Sequence, residues 1–154
     1  MIWINIGISV GTILVSALTL YFTISNSKKT RRITVLLSEK QKRHEEVFKH
    51  ITSILDLGRK SYDVEEIEDR PKMKYEFLNH KVLIWVYLNK ENKYAKEMRG
   101  YCNDYVFACV SILEKDTKEE RQNYLLSANK YAQHIWLLID KYIEEEDKLR
   151  SKLI

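Results

Sequence analysis

One proline, four glycines and two cysteines in 154 residues leave this chain few places to break a helix and no covalent framework. Cys102 and Cys109 lie seven positions apart, which on one helix is about 10 Å along the axis, too far for a bridge to each other. Two small core residues in a reducing cytoplasm are the expectation. Gly58 and Gly100 stand alone, which excludes a glycine-rich phosphate loop. No serine sits in a nucleophile elbow. Charge is missing too, and in one place above all: from Ile2 to Ile24 there is no Asp, Glu, Lys, Arg or His.

That uncharged run is what the chain does have. Its length matches the roughly 20 residues that cross the ~30 Å hydrocarbon core of a bilayer as one helix. A cleaved signal peptide would carry a positive n-region and a shorter apolar core. Here Met1 to Asn5 holds no Lys or Arg, and Leu18 to Ile24 continues the run past the small residues Val15 and Ala17. The expectation is an uncleaved anchor, residues 1–27, followed by a helical domain, residues 28–154. Lys28, Lys29, Arg31 and Arg32 come directly after the run, with Lys40, Lys42 and Arg43 beyond. Basic residues favour the cytoplasmic side. The chain is therefore expected in the plasma membrane as a single-pass protein, N-terminus outside and C-terminal domain cytoplasmic. Trp3 and Tyr21 stand near the two ends of the span, where amphipathic rings favour the interfaces.

Asn5, Ser9, Thr12, Ser16, Thr19, Thr23 and Asn26 recur at alternating spacings of four and three, which keeps them on one stripe of a helix. Two readings of this stripe stand. It is a self-association seam, because small polar residues allow close approach and hydrogen-bond between helices at about 0.6 kcal/mol each. Or the hydroxyls bond back to their own backbone and face lipid. Gly7 and Gly11 form a small-xxx-small pair on nearly the opposite face.

Without the anchor about 130 residues remain, enough for one domain with its own core. Apolar residues recur there at helical rather than alternating spacing, which predicts an all-α fold: a transmembrane helix followed by a bundle of about four helices. The first runs from about Ile33 to Leu57, with Gly58 as its stop. It either continues the anchor or starts afresh at Ser38. Arg59 to Arg70 is the main connection, with Asp63 and Glu66 placed to cap a short turn, and Pro71 suits the first position of the next helix. Val82 to Leu88 is an apolar run rich in strand-favouring types, but no second strand candidate exists to pair with it, so a buried helix from about Lys72 to Leu88 is expected. Asn89 to Lys93 is a tight connection. A third helix carries Tyr94, Met98, Tyr101, Tyr105, Cys109 and Ile112 on one face, with Gly100 placed for close packing. Thr117 and Glu120 form a capping box for the last helix, which runs to about Arg150.

The net charge is +4. From Ser25 to Lys60 ten basic residues face four acidic ones, whereas Ser61 to Ile154 is slightly acidic. The positive excess belongs beside the anchor, where anionic headgroups are the natural partner at about 1 kcal/mol per basic residue. No basic face of a nucleic-acid reader is visible in the remainder. His44 and His50 bracket two glutamates, but their spacing of six does not bring two imidazoles to one metal. His80 and His134 stand isolated. The runs Glu65 to Asp69 and Glu144 to Asp147 lack calcium-loop spacing and read as solvated faces. Neither a catalytic residue, a cofactor nor a metal is expected. Tyr94, Tyr101, Tyr105, Tyr124, Tyr131 and Tyr142 fall on inner faces, either as packing or as a partner groove between the last two helices.

The stretch Val82-Leu83-Ile84-Trp85-Val86-Tyr87-Leu88-Asn89-Lys90-Glu91-Asn92 resembles a region of a loose group of small bacterial and prophage membrane proteins. That group has an N-terminal anchor, a charged helix and an apolar segment ending in Leu-Asn-Pro. Leu88 and Asn89 match, Lys90 replaces the proline, and Arg43 stands without the Trp that such proteins carry after the anchor. The resemblance implies this layout and a bacterial or phage origin; it implies no site residue. The functional expectation is a membrane-anchored interaction module with lipid, a second copy or another protein as partner. Its rival is a phage-exclusion effector acting at the membrane.

Overall fold

A computed structural model describes the backbone of residues 2–62 and 69–152, and side chains from residue 15 onward. The fold is all-α. Its helices are α1 (Ile2–Ser61), α2 (Arg70–Tyr87), α3 (Ala95–Glu114) and α4 (Lys118–Ser151). The chain divides into two compact units, Met1–Glu39 and Lys40–Ile154.

The first unit is the N-terminal part of α1. The polar triplet Ser25-Asn26-Ser27 does not interrupt it, and Ser38 lies inside the helix rather than at a new N-cap. No proline is present to remove a backbone donor, and Thr34 returns its hydroxyl to the Thr30 carbonyl at 3.0 Å. Val15, Leu18, Leu20, Tyr21, Phe22 and Ile24 are 48–68% exposed. At 100° per residue they cover the helix except for one stripe, which carries Ser16, Thr19 and Thr23. Among the described residues no helix is long and apolar enough to cross a membrane. The uncharged run has described side chains only from Val15 to Ile24, and its first part, residues 2–14, lies outside them. The expected transmembrane helix is thus not among the elements the structure establishes.

The second unit holds the core. Ile51 and Ile54 from α1, Phe77 and Ile84 from α2, Met98, Cys102, Tyr105 and Ile112 from α3, and Ile135 and Tyr142 from α4 are all at most 2% exposed. Within each set the steps are three, four or seven residues, so each helix turns one stripe inward. Pro71 occupies the first turn of α2, where its missing N–H costs nothing. The Val82–Tyr87 stretch is helical, and only Ile84 of it is buried. Thr117, in extended conformation, accepts from the Glu120 N–H at 3.3 Å while its hydroxyl donates to the Glu120 carboxylate at 2.8 Å. The expected cap therefore starts α4. Glu119 and Glu120 in its first turn, with Lys148 and Arg150 in its last, complement the helix dipole. Asp63 and Glu66 lie outside the described residues.

Both glycine expectations need correction. Gly58 does not stop its helix; α1 continues to Ser61, and among the described residues no glycine has a positive φ. Its value is the missing Cβ. An added methyl would overlap the Tyr105 hydroxyl and sit 2.6 Å from Cζ and 3.1 Å from the Cys109 sulfur. The Tyr105 ring is 2% exposed, and its hydroxyl donates to the Leu55 carbonyl at 3.3 Å, so the ring has nowhere to retreat. Gly100, expected to permit close packing, faces open space instead.

The α2–α3 corner is fastened by a buried polar clamp. Glu146, 3% exposed on α4, accepts from the side-chain amides of Asn89 and Asn92, both at 2.9 Å. The Asn92 amide also donates to the Tyr142 carbonyl at 2.9 Å, and the Asn89 backbone N–H donates to the Tyr142 hydroxyl at 3.0 Å. The two asparagine carbonyls accept from the backbone of Glu91 and Tyr94 at 3.1 and 3.0 Å, folding the turn on itself.

Gly58→Ala will destabilise the protein by about 1–3 kcal/mol, the usual cost of overpacking. Gly100→Ala will stabilise it by up to about 1 kcal/mol, the helix-propensity gain at a site with room. Urea denaturation of the two variants beside the parent checks both signs.

Candidate functional site

The residues flanking the uncharged run are fully displayed. Lys28, Lys29, Arg31 and Arg32 are exposed on α1, and among the described residues none of them enters an ion pair. Lys28, Arg31 and Arg32 share one side of the helix with Val35 and Leu36, which are 51% and 38% exposed. Together with Glu39 they line a shallow groove of about 440 Å³. Cationic heads over exposed aliphatic side chains form the amphipathic pattern that sits at a boundary between headgroups and acyl chains.

Within the seam, Ser16, Thr19 and Thr23 are exposed on α1. The Thr19 hydroxyl donates to the Val15 carbonyl and the Thr23 hydroxyl to the Thr19 carbonyl, each at 2.8 Å. Their protons are therefore spent on the helix itself, while the oxygen lone pairs stay free to accept. Asn5, Ser9 and Thr12 have side chains outside the described residues.

The histidines are arranged differently from their spacing in sequence. His44 and His50 do turn apart, as a separation of six requires. His44 lies tilted against Phe48 and stacked on Tyr142, with ring centroids at 4.6 and 6.3 Å. His80, however, is not isolated. Its Nδ1 lies 2.9 Å from Nδ1 of His50, which is 6% exposed and stacked on Tyr87. Nor is His134, which stacks on Tyr101 at 4.8 Å. Two Nδ1 atoms at that distance share one proton. One ring donates and the other accepts, and Glu46 lies 3.6 Å from Nε2 of His50. Burial holds both imidazoles below their ordinary pKa. The neighbouring His80 lowers His50 further; Glu46 and Glu76 pull the other way on His50 and His80 respectively, and Lys49 adds to the lowering of both. His44 is likewise lowered, by burial first and then by Arg150.

Neither thiol is poised for chemistry. Cys102 and Cys109 are buried and free, and burial pushes both up to about 12, with Tyr105 and Ser61 partly opposing it at Cys109. Among the described residues no cluster of three or more His, Cys, Asp or Glu is placed to hold a metal ion. Tyr105 and Tyr142 are core residues, and burial raises the Tyr142 hydroxyl to about 12. Tyr94, Tyr101, Tyr124 and Tyr131 pack partly buried against the same core.

One local concentration of charge went unseen in the sequence. Lys90, Lys93, Lys96 and Arg99 meet around a groove at the α2–α3 corner. Their spacing of three across the end of a turn and the start of a helix was the available signal. The slightly acidic balance of the C-terminal part as a whole masks it. Compared with protein families, with curated proteins and with solved structures, the chain shows no match.

The histidine pair makes stability depend on pH. An imidazole whose folded pKa is depressed binds its proton more readily in the unfolded chain, so stability is fully present above the ordinary value of 6.5 and is lost as pH falls through and below it. The melting temperature will therefore drop between about pH 7 and about pH 5. His80→Asn, which keeps a hydrogen-bonding group but cannot titrate, will flatten that drop. Melting curves of parent and variant across the range measure the difference.

Proposed function

We propose that this protein is a single-pass, membrane-anchored helical interaction module at the cytoplasmic face of the plasma membrane, and that it self-associates through its anchor. The observation that carries this reading is the first half of α1. Large apolar side chains from Val15 to Ile24 are exposed on all but one stripe of it, they continue an uncharged run that begins at Ile2, and four exposed cations follow soon after. An uncharged helix whose large apolar side chains cover most of its circumference is a solution to burial in lipid or in protein, not to exposure in water. The basic flank supplies both the orientation and an attraction to anionic headgroups.

The second unit supports the module reading through what its core contains. Its buried Asn89–Asn92–Glu146 clamp is spent on tying helices together, and its thiols are held protonated. The stripe of small polar residues Ser16, Thr19 and Thr23 motivates self-association through close helix approach; Thr19 and Thr23 direct their hydroxyl protons to their own helix, so only their oxygens remain to accept from a second copy.

Fractionation with an alkaline wash will leave the intact chain in the membrane pellet. Protease added outside whole cells will spare residues beyond the basic flank, whereas inverted vesicles will expose them. Recovery in the soluble fraction contradicts the anchor, and digestion from outside contradicts the orientation. For the seam, Thr12→Leu with Ser16→Leu will weaken a self-association reporter by about 1 kcal/mol, a several-fold loss, since each polar contact in lipid is worth roughly 0.6 kcal/mol. An unchanged signal removes the self-association.

A further inference from the structure

The groove at the α2–α3 corner has a volume of about 370 Å³ and is walled by Trp85, Lys90, Lys93, Lys96 and Arg99. Its charges are poorly matched. Lys93 reaches Glu145 at 3.2 Å, but among the described residues Lys90, Lys96 and Arg99 enter no ion pair. The one carboxylate in the wall, Glu91, is engaged by Lys40 at 3.3 Å. The cations also gather at the wrong end of a helix for their own comfort. α3 begins at Ala95, its N-cap Tyr94 provides no side-chain acceptor, and Glu97 is the only acid in its first turn. The partial positive charge of a helix N-terminus repels neighbouring cations and attracts anions.

One further feature prepares the groove for an oxygen-rich anion. The Arg99 guanidinium lies 3.9 Å from the centroid of the Trp85 ring, which fixes its plane while leaving the exposed side chain's N–H edges available. The Trp85 indole N–H itself is shut off from solvent and so does not open into the groove; its ring carries the Arg99 guanidinium and senses what that group binds.

We infer that the α2–α3 corner is a binding site for a phosphate monoester, carried by a small molecule or by a lipid headgroup. Arg99 offers a planar fork to two of its oxygens, Lys96 and Lys90 supply charge, and the start of α3 adds its dipole. The volume exceeds that of a bare phosphate and accommodates the group that bears it. This inference stands whether or not the anchor spans a membrane.

The test uses the full chain in phosphatidylcholine nanodiscs, with the ¹⁵N–H signal of the Trp85 indole as readout. Glycerol 3-phosphate should shift that signal saturably. Arg99→Gln should weaken binding by about tenfold or more, the loss of a charge-assisted hydrogen-bonded pair. Arg99→Lys, which keeps the charge but not the fork, should fall between. Lys130→Gln, on the exposed side of α4, should bind as the parent does. A shift that requires phosphatidic acid in the nanodisc, with none from glycerol 3-phosphate, still supports the site and assigns its ligand to lipid. Equal shifts from chloride overturn it as mere screening. So does a silent indole signal with every monoester, or a response to a single-stranded RNA alone.

Discussion

The clamp between Glu146 and the two asparagines fixes more of this molecule than any other interaction. A carboxylate 3% exposed would be costly to leave alone, and so would two asparagine side chains turned inward at a corner. Each satisfies the other. The amides of Asn89 and Asn92 converge on one Glu146 oxygen, and the Tyr142 hydroxyl and carbonyl take the next two donors. Removing any one member strands its partners in a site with little access to water. That mutual dependence sets the angle at which α2 gives way to α3 and ties both to α4. The same geometry brings Lys90, Lys93, Lys96 and Arg99 around one groove.

The apolar core then fills in around this fixed corner. Gly58 lets α1 come close enough to α3 for the Tyr105 hydroxyl to reach the Leu55 carbonyl. The histidine pair joins α1 to α2 through a shared proton. These are three polar fastenings inside a mainly apolar interior. Each specifies a register that interchangeable Leu and Ile side chains would not enforce.

Much of the domain was legible because it obeys periodic rules. The capping box at Thr117, Pro71 in the first turn of α2, the helical state of Val82 to Tyr87 and the burial of both cysteines all follow from local chemistry or spacing. What was not legible depends on contacts between residues far apart in the chain. Gly58 looked like a stop because a lone glycine after an apolar run has that local meaning; its actual reason is a tyrosine 47 positions later. His80 looked isolated because its partner lies 30 positions away on another helix. Asn89 and Asn92 read as turn residues, which they are, but nothing local announces that their side chains point at a buried glutamate. Asn5, Ser9 and Thr12 of the seam have side chains outside the described residues, while Thr19 and Thr23 direct their hydroxyl protons to their own helix.

The clamp is most directly tested by hydrogen exchange in Glu146→Leu, a change that keeps the volume and removes the acceptor. The Asn89 and Asn92 amides then lose their shared partner, and the turn they brace is freed. The account predicts that the backbone amides of Glu91 and Tyr94, which donate to those same asparagines, exchange markedly faster. Amides in the middle of α3 should change only by the uniform amount expected from lower global stability. Unaltered protection at Glu91 and Tyr94 would contradict the clamp as the element that holds the corner.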